Sequence, residues 1–132
     1  VVYPGLIVWF DPQDSSTLFQ DSACTTAASA DGNPVGCLRD KSGKNHHALQ
    51  ATAALRPVFR AAGIQNFPSI RFDGSNDILS APNSAEFNNM GGFTTFAIFY
   101  AMTVDGQPRA IYSKRIDQSN ISFSAFLFTS NK

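Results

Sequence analysis

The stretch that decides the fold class is FTTFAIFYAMTV, residues 93–104. Large apolar side chains recur at every second position from Phe96 to Val104, and the residues between them are mostly small. A period of two is the pattern of a β-strand with one buried face, because successive side chains point to opposite faces of a sheet. The stretch therefore predicts a long strand that packs against the core.

The rest of the chain predicts short strands separated by polar turns, without a long helical period. Residues 6–10 are apolar throughout, which is typical of a strand buried on both faces. Residues 69–73 alternate and lead through a D-G-S-N turn into residues 77–80, which predicts a hairpin. One helical turn is expected after Asp14, which would cap it. Further strands are predicted at residues 35–40, 48–51, 57–60, 109–115 and 121–128, with a turn at residues 105–108.

Length and charge exclude several classes of protein. The 132 residues are enough for one domain, and we predict a single domain over residues 1–132. Ten basic residues balance ten acidic ones, which disfavours a nucleic-acid-binding protein. No apolar run approaches the roughly 20 residues of a membrane-spanning helix. The chain begins at Val1 and its last segment is still apolar, so we expect it to be part of a longer chain.

The two cysteines, Cys24 and Cys37, are too few for a disulfide framework or a structural zinc site. They could form one bridge across a short loop if the compartment is oxidising. The commoner alternative is a pair of small buried thiols, which is the state we expect.

Three motifs occur in order: DKSGKNHHA at residues 40–48, IRFDGSNDIL at residues 70–79 and FTTFAI at residues 93–98. Together they resemble the laminin-G-like jelly roll of the concanavalin-A-like lectin and glucanase superfamily. The resemblance spans roughly residues 6–115, and WFDP at residues 9–12 is similar to phage and bacterial members. It implies an all-β, two-sheet antiparallel jelly-roll sandwich. A complete jelly roll of this kind is longer, so we expect late strands to be missing at the C-terminus.

The acidic turns suggest a metal site that the resemblance also implies. Some relatives bind calcium in strand-end loops, and calcium prefers carboxylate and carbonyl oxygens. The candidate ligands are Asp11, Asp40, Asp73, Asn76 and Asp77. The alternative for Asp40 and Asp73 is an Asx turn, in which the carboxylate accepts hydrogen bonds from amides of its own turn.

The residues contain no recognisable catalytic apparatus. Glycosidases of the superfamily use paired carboxylates, whereas Glu86 is the only glutamate and has no acidic partner at a suitable spacing. We therefore predict that the protein is not an enzyme. Sugar binding usually needs exposed aromatic rings, and the single tryptophan, Trp9, lies in a predicted buried strand. The candidate ligand-binding residues are Asn76, Arg109, Tyr112 and Arg115, with ordinary surface as the alternative.

These observations predict a non-catalytic recognition or adhesion module that binds a glycan or a host-cell surface. Such a module would belong to a phage virion protein, for example a tail fibre, or to a bacterial surface protein. One alternative is a structural virion building block that contacts other protein subunits or further copies of itself through an apolar edge such as residues 121–128. A second alternative is an accessory domain of a carbohydrate-active enzyme. The expected location is the virion or the extracellular surface, without insertion into a membrane.

Overall fold

Antiparallel strands and short 3-10 turns make up the regular structure. A computed structural model describes residues 4–88, 92–102, 109–115 and 121–127. In this part of the chain there is no α-helix, so the all-β prediction is confirmed for these residues. The strands are β1 (Leu18–Phe19), β2 (Cys37–Leu38), β3 (Ala48–Leu49), β4 (Val58–Ile64), β5 (Phe67–Arg71), β6 (Arg109–Arg115) and β7 (Ile121–Leu127), and the 3-10 turns are Ser15–Thr17, Ala53–Leu55 and Ala85–Phe87.

The chain divides into two compact units, Val1–Met90 and Gly91–Lys132. The first unit contains an antiparallel sheet in which β2 lies between β1 and β3, and an antiparallel hairpin formed by β4 and β5. Backbone hydrogen bonds join the two, because the amide of Val35 donates to the carbonyl of Pro57 at 2.7 Å. The predicted single domain over residues 1–132 stays a prediction.

The core of the first unit is small and lies between its two sheets. Leu18, Val35 and Cys37 are completely buried. Leu18 and Cys37 belong to β1 and β2, and Val35 lies two residues before β2. Phe59 reaches the same cluster from β4. The remaining buried apolar members are Ala28, Leu38 and Ala48, with Ile70 and Leu79 packed against them.

The hairpin of the first unit differs from the predicted one. β5 pairs with β4, and the turn between them holds Gln65 and Asn66 at φ 49° and 67°. Two consecutive positive φ values are typical of a type I′ turn, which matches the right-handed twist of paired strands. The predicted pairing of residues 69–73 with residues 77–80 is wrong, since Ser80 instead forms a bridge with Leu49.

The predicted buried strand at residues 6–10 is also wrong. These residues belong to no strand, and Trp9 and Phe10 each expose 37% of their surface. The backbone of Trp9 forms hydrogen bonds with a turn instead of with a strand. Its amide donates to the carboxylate of Asp40, and its carbonyl accepts from the amide of Lys41. The apolar run at residues 6–10 therefore lies beside the polar turn that begins at Asp40.

Cys24 and Cys37 form a disulfide, so the expectation of two thiols is wrong. The bridge ties a turn to the buried strand β2, and the Cα atoms of the two residues are 5.5 Å apart. Asp21 stabilises the same turn by accepting hydrogen bonds from the amides of Thr26 and Thr25. These bonds, led by that from Thr26, lower the pKa of Asp21 to about 2.

In the second unit, β6 and β7 form an antiparallel pair in which Tyr112 lies opposite Ala125. The predicted strand at residues 109–115 is confirmed, and the strand predicted at residues 121–128 is confirmed over residues 121–127, since residue 128 lies outside the described residues. The predicted strand at residues 93–104 is wrong for the described residues 92–102, which belong to no strand, and Phe96 exposes 93% of its surface. A strand needs a neighbouring strand to which its backbone is hydrogen-bonded, and no described strand pairs with residues 92–102. The predicted turn at residues 105–108 lies outside the described residues.

Candidate functional site

The turn at residues 40–47 is organised around the carboxylate of Asp40. The amides of Trp9 and Ser42 both donate to its Oδ1 at 2.8 Å, and the amide of His46 donates to its Oδ2 at 3.0 Å. The hydroxyl of Ser42 lies 2.7 Å from the same Oδ2. The Asx alternative is therefore correct for Asp40, whose carboxylate is occupied by groups of the protein.

Burial and hydrogen bonding shift the pKa of Asp40 in opposite directions. Burial by itself raises the pKa of this carboxyl group, because it disfavours the charged form. The hydrogen bonds from Ser42, Trp9 and His46 outweigh burial, so the pKa of Asp40 lies below its ordinary value. His47 completes the turn, since its Nδ1 accepts from the amide of Asp40 at 3.1 Å. The charged carboxylate of Asp40 therefore holds the turn at residues 40–47 in place.

Asp73 organises a second, exposed turn in the same way. Its Oδ1 accepts from the amides of Ser75, Asn76 and Asp77 at 2.8, 3.1 and 3.2 Å. The bonds from Ser75, Asn76 and Asp77 lower the pKa of Asp73. Asp77 in turn binds Asp73, because its Oδ2 accepts a hydrogen bond from the amide of Asp73. The Asx alternative thus also describes Asp73, and it brings three of the predicted ligands, Asp73, Asn76 and Asp77, into one loop.

The predicted calcium ligands do not form one cluster within the described residues. No group of three or more His, Cys, Asp or Glu side chains there is arranged to hold a metal ion. The acceptor positions of Asp40 are filled by backbone and hydroxyl donors, and Asp11 forms an ion pair with Lys41. The hydrogen bonds around Asp40 do not fit a calcium ligand, and the calcium site stays a prediction.

A patch of aromatic and charged side chains lies beside the Asp40 turn. Lys41 Nζ is 2.9 Å from Asp11 Oδ2, 2.8 Å from Asp14 Oδ2 and 4.5 Å from the centre of the Trp9 ring. Phe10 adds a second partly exposed ring next to Trp9 in the chain. We call these five residues the Trp9 patch.

Two structural elements position the Trp9 patch. Asp14 caps the 3-10 turn Ser15–Thr17 by accepting from the amide of Ser16, which confirms the predicted helical turn and its cap. Lys41 directly follows Asp40, whose carboxylate binds the amide of Trp9. The sequence therefore fixes the aromatic and the charged members of the patch to each other through backbone hydrogen bonds.

The charges of the Trp9 patch leave a net negative group at a partly exposed aromatic surface. The side-chain bond from Lys41, followed by those from Ser16, lowers the pKa of Asp14 to about 2, and the bonds to Asp14 and Asp11 raise the pKa of Lys41. At neutral pH two carboxylates accompany one ammonium group. Such a surface offers an aromatic ring together with charged hydrogen-bond acceptors.

A third polar cluster joins the Asp40 turn to the 3-10 turn Ala85–Phe87. Glu86 Oε1 lies 2.6 Å from Lys44 Nζ, and Glu86 Oε2 lies 2.7 Å from Nε2 of the buried His46. The bond from Lys44, followed by that from His46, lowers the pKa of Glu86. The ring of Phe87 covers His46, with the ring centres 4.7 Å apart. This cluster fastens residues 84–88 to the Asp40 turn.

The predicted ligand-binding residues are distributed over both units. Asn76 is exposed in the Asp73 turn of the first unit, whereas Arg109 and Tyr112 are half-buried in β6 of the second unit. Arg115 ends β6, and its side chain lies outside the described part of the structure. The assignment of these four residues to a ligand site stays a prediction.

Sequence reasoning missed the Trp9 patch because it assigned Trp9 to a buried strand. The signal that could have found it is the polar continuation of the apolar run, with Asp11 and Asp14 three positions apart. An apolar run that is followed at once by charged residues is as compatible with an exposed turn as with a buried strand.

Comparison with protein-family models, curated proteins and solved structures gives no match for this chain. Among the described residues, no helix has the length and apolar character needed to cross a membrane.

Proposed function

We propose that this protein is a non-catalytic recognition module that binds glycans through the Trp9 patch. The observation that carries the proposal is the partly exposed indole of Trp9 beside the carboxylates of Asp11 and Asp14. An aromatic ring can pack against the apolar face of a sugar ring, and carboxylates accept hydrogen bonds from its hydroxyl groups.

The physical form of the Trp9 patch suits a modest, reversible interaction. Its rings are only partly exposed, and its charged groups are already paired, so a ligand would exchange few hydrogen bonds with the protein. Because the patch carries a net negative charge, neutral glycans are favoured over sulfated or sialylated ones. Salt weakens the repulsion between the carboxylates of the patch and a charged glycan, but it does not remove it for groups in contact.

We also propose that the module is a laminin-G-like jelly roll, on the resemblance of the motifs within residues 6–115. The confirmed all-β character of the described residues supports this fold, and the Asx turn at Asp40 explains the D-x-S-G pattern at residues 40–43. The disulfide between Cys24 and Cys37 supports an extracellular location, because structural disulfides persist in oxidising compartments. A bacterial cell surface or the exterior of a virion fits this requirement.

A printed array of neutral, sulfated and sialylated glycans tests the proposal. The wild-type chain should bind one or more neutral glycans, and Trp9→Ala should lose about tenfold or more in affinity. Phe67→Ala is the matched control, because Phe67 is an exposed aromatic residue on β5 outside the Trp9 patch. Equal binding by the Trp9→Ala variant, or no binding by the wild type to any glycan, would contradict the proposal.

A further inference from the structure

The segment at residues 92–102 exposes an alternating row of large apolar side chains. Phe96, Ile98, Tyr100 and Met102 expose 93%, 92%, 70% and 63% of their surface. Alternate positions share one face when a segment forms a strand. The pattern is therefore that of a strand with an apolar face, although the segment belongs to no strand of the described structure.

The exposed area is large enough for a stable interface. Taking about 200 Å² for a fully exposed side chain of this size, these four residues present about 640 Å² on one face. The largest apolar patch on a typical monomer covers about 300–600 Å². A standard protein interface buries about 800 Å² on each partner, so this segment alone supplies most of one side.

The absence of charged residues from the segment favours a second copy of the same chain as its partner. Residues 87–104 contain no Asp, Glu, Lys, Arg or His, and they contain no proline. Natural proteins place charged residues or proline on exposed strands to prevent pairing with another chain, and this segment has neither. When an uncharged segment lies against its own copy, no like charges are brought together.

We propose that residues 94–102 pack antiparallel against the same residues of a second copy, apolar face on apolar face, and form a two-fold symmetric dimer. A two-fold axis makes the interface self-complementary, so one patch serves both chains. The axis would pass at Ile98, the central residue of 94–102, and would place Ile98 opposite its own copy. This inference is independent of glycan binding, although a dimer would carry two Trp9 patches and would bind a multivalent surface more tightly.

Sedimentation velocity of the full chain at micromolar concentrations tests the dimer. The wild type should sediment as a dimer. Ile98→Lys and Ile98→Glu should each sediment as a monomer, because each would place two like charges opposite one another. An equimolar mixture of the two variants should regain the dimer mass, because opposite charges then meet across the axis. Ile78→Lys, at a half-exposed position of the first unit, should remain dimeric.

Two further measurements distinguish this pairing from unfolding of the variant and from unspecific association. Far-UV circular dichroism of the Ile98→Lys variant should show no loss of folded structure, because the side chain is exposed. As a test that does not depend on a charged variant, Ile98→Cys should cross-link into a covalent dimer under oxidation, whereas Ile78→Cys should not. A monomeric wild type, open-ended aggregates in place of dimers, or a mixture of the Lys and Glu variants that stays monomeric would overturn the proposal.

Discussion

Replacing Asp40 by asparagine should destabilise the first unit by about 3 kcal/mol. The carboxylate accepts at two oxygens, with Oδ1 serving the amides of Trp9 and Ser42 and Oδ2 serving the amide of His46 and the Ser42 hydroxyl. Asparagine keeps one accepting oxygen and replaces the other by an NH2 group, which cannot accept. A hydrogen bond to a charged group contributes about 1.5–3 kcal/mol, and a buried donor left without a partner costs about 1–3 kcal/mol.

Asp73→Asn is the matched control for this substitution. Asp73 also organises an Asx turn, but it is exposed and uses a single oxygen, Oδ1, for the amides of Ser75, Asn76 and Asp77. The side-chain oxygen of asparagine can replace that acceptor. The expected loss of stability for Asp73→Asn is therefore clearly smaller than that for Asp40→Asn.

Urea unfolding monitored by tryptophan fluorescence measures both losses. Trp9 is the only tryptophan and belongs to the first unit, so its emission reports on the turn that Asp40 holds. The midpoint for Asp40→Asn should fall while the m-value stays constant, as expected when stability changes without a change in unfolded-state compactness. A loss below about 0.5 kcal/mol, or a loss equal to that of Asp73→Asn, would refute the assigned role of the buried carboxylate.

Three other changes test separate contacts of the first unit. Replacing both Cys24 and Cys37 by alanine should cost about 2–4 kcal/mol in urea unfolding, because the open loop gains entropy in the unfolded chain; an unchanged midpoint would contradict a structural role for the bridge. Gly36→Ala should cost about 1–3 kcal/mol in the same assay, since its Cβ would lie 2.7 Å from the carbonyl oxygen of Gln20, and a stability equal to that of the wild type would argue against this close approach. The lowered pKa of Glu86 means that its stabilisation is complete above its ordinary pKa of 4.5 and is lost as the pH falls through the lower folded value. The difference in stability between wild type and Glu86→Gln should accordingly shrink on acidification, and a difference that is constant with pH would contradict the contact.

Local sequence signals predicted the turns better than they predicted the strands. The cap at Asp14 and the turn at Asp40 depend on contacts within a few residues, which a sequence displays directly. The strands β6 and β7 were also found, because each combines a suitable pattern with a neighbouring strand. The type I′ turn at Gln65 and Asn66 was missed, since Gln65 is an unusual residue at a positive φ.

The errors share one physical cause, which is that strand pairing depends on a partner elsewhere in the chain. Residues 6–10 have a strand-like composition, yet the backbone of Trp9 binds the distant Asp40 turn. Residues 92–102 have the strongest strand pattern, yet the described residues offer them no neighbouring strand. The disulfide could not be chosen over two thiols from spacing alone, because bridging requires the Cα atoms to come within about 7 Å. The Trp9 patch was missed because residues 6–10 were assigned to a buried strand.

A fluorescence titration of Trp9 with an oligosaccharide that binds on the array tests the proposed function most directly. The single indole lies in the proposed binding surface, so a sugar ring packed against it would change its polarity and its contact with water. We predict a saturable change in emission with the same affinity as binding to the array. Binding that leaves the emission of Trp9 unchanged would contradict the claim that this patch recognises the glycan.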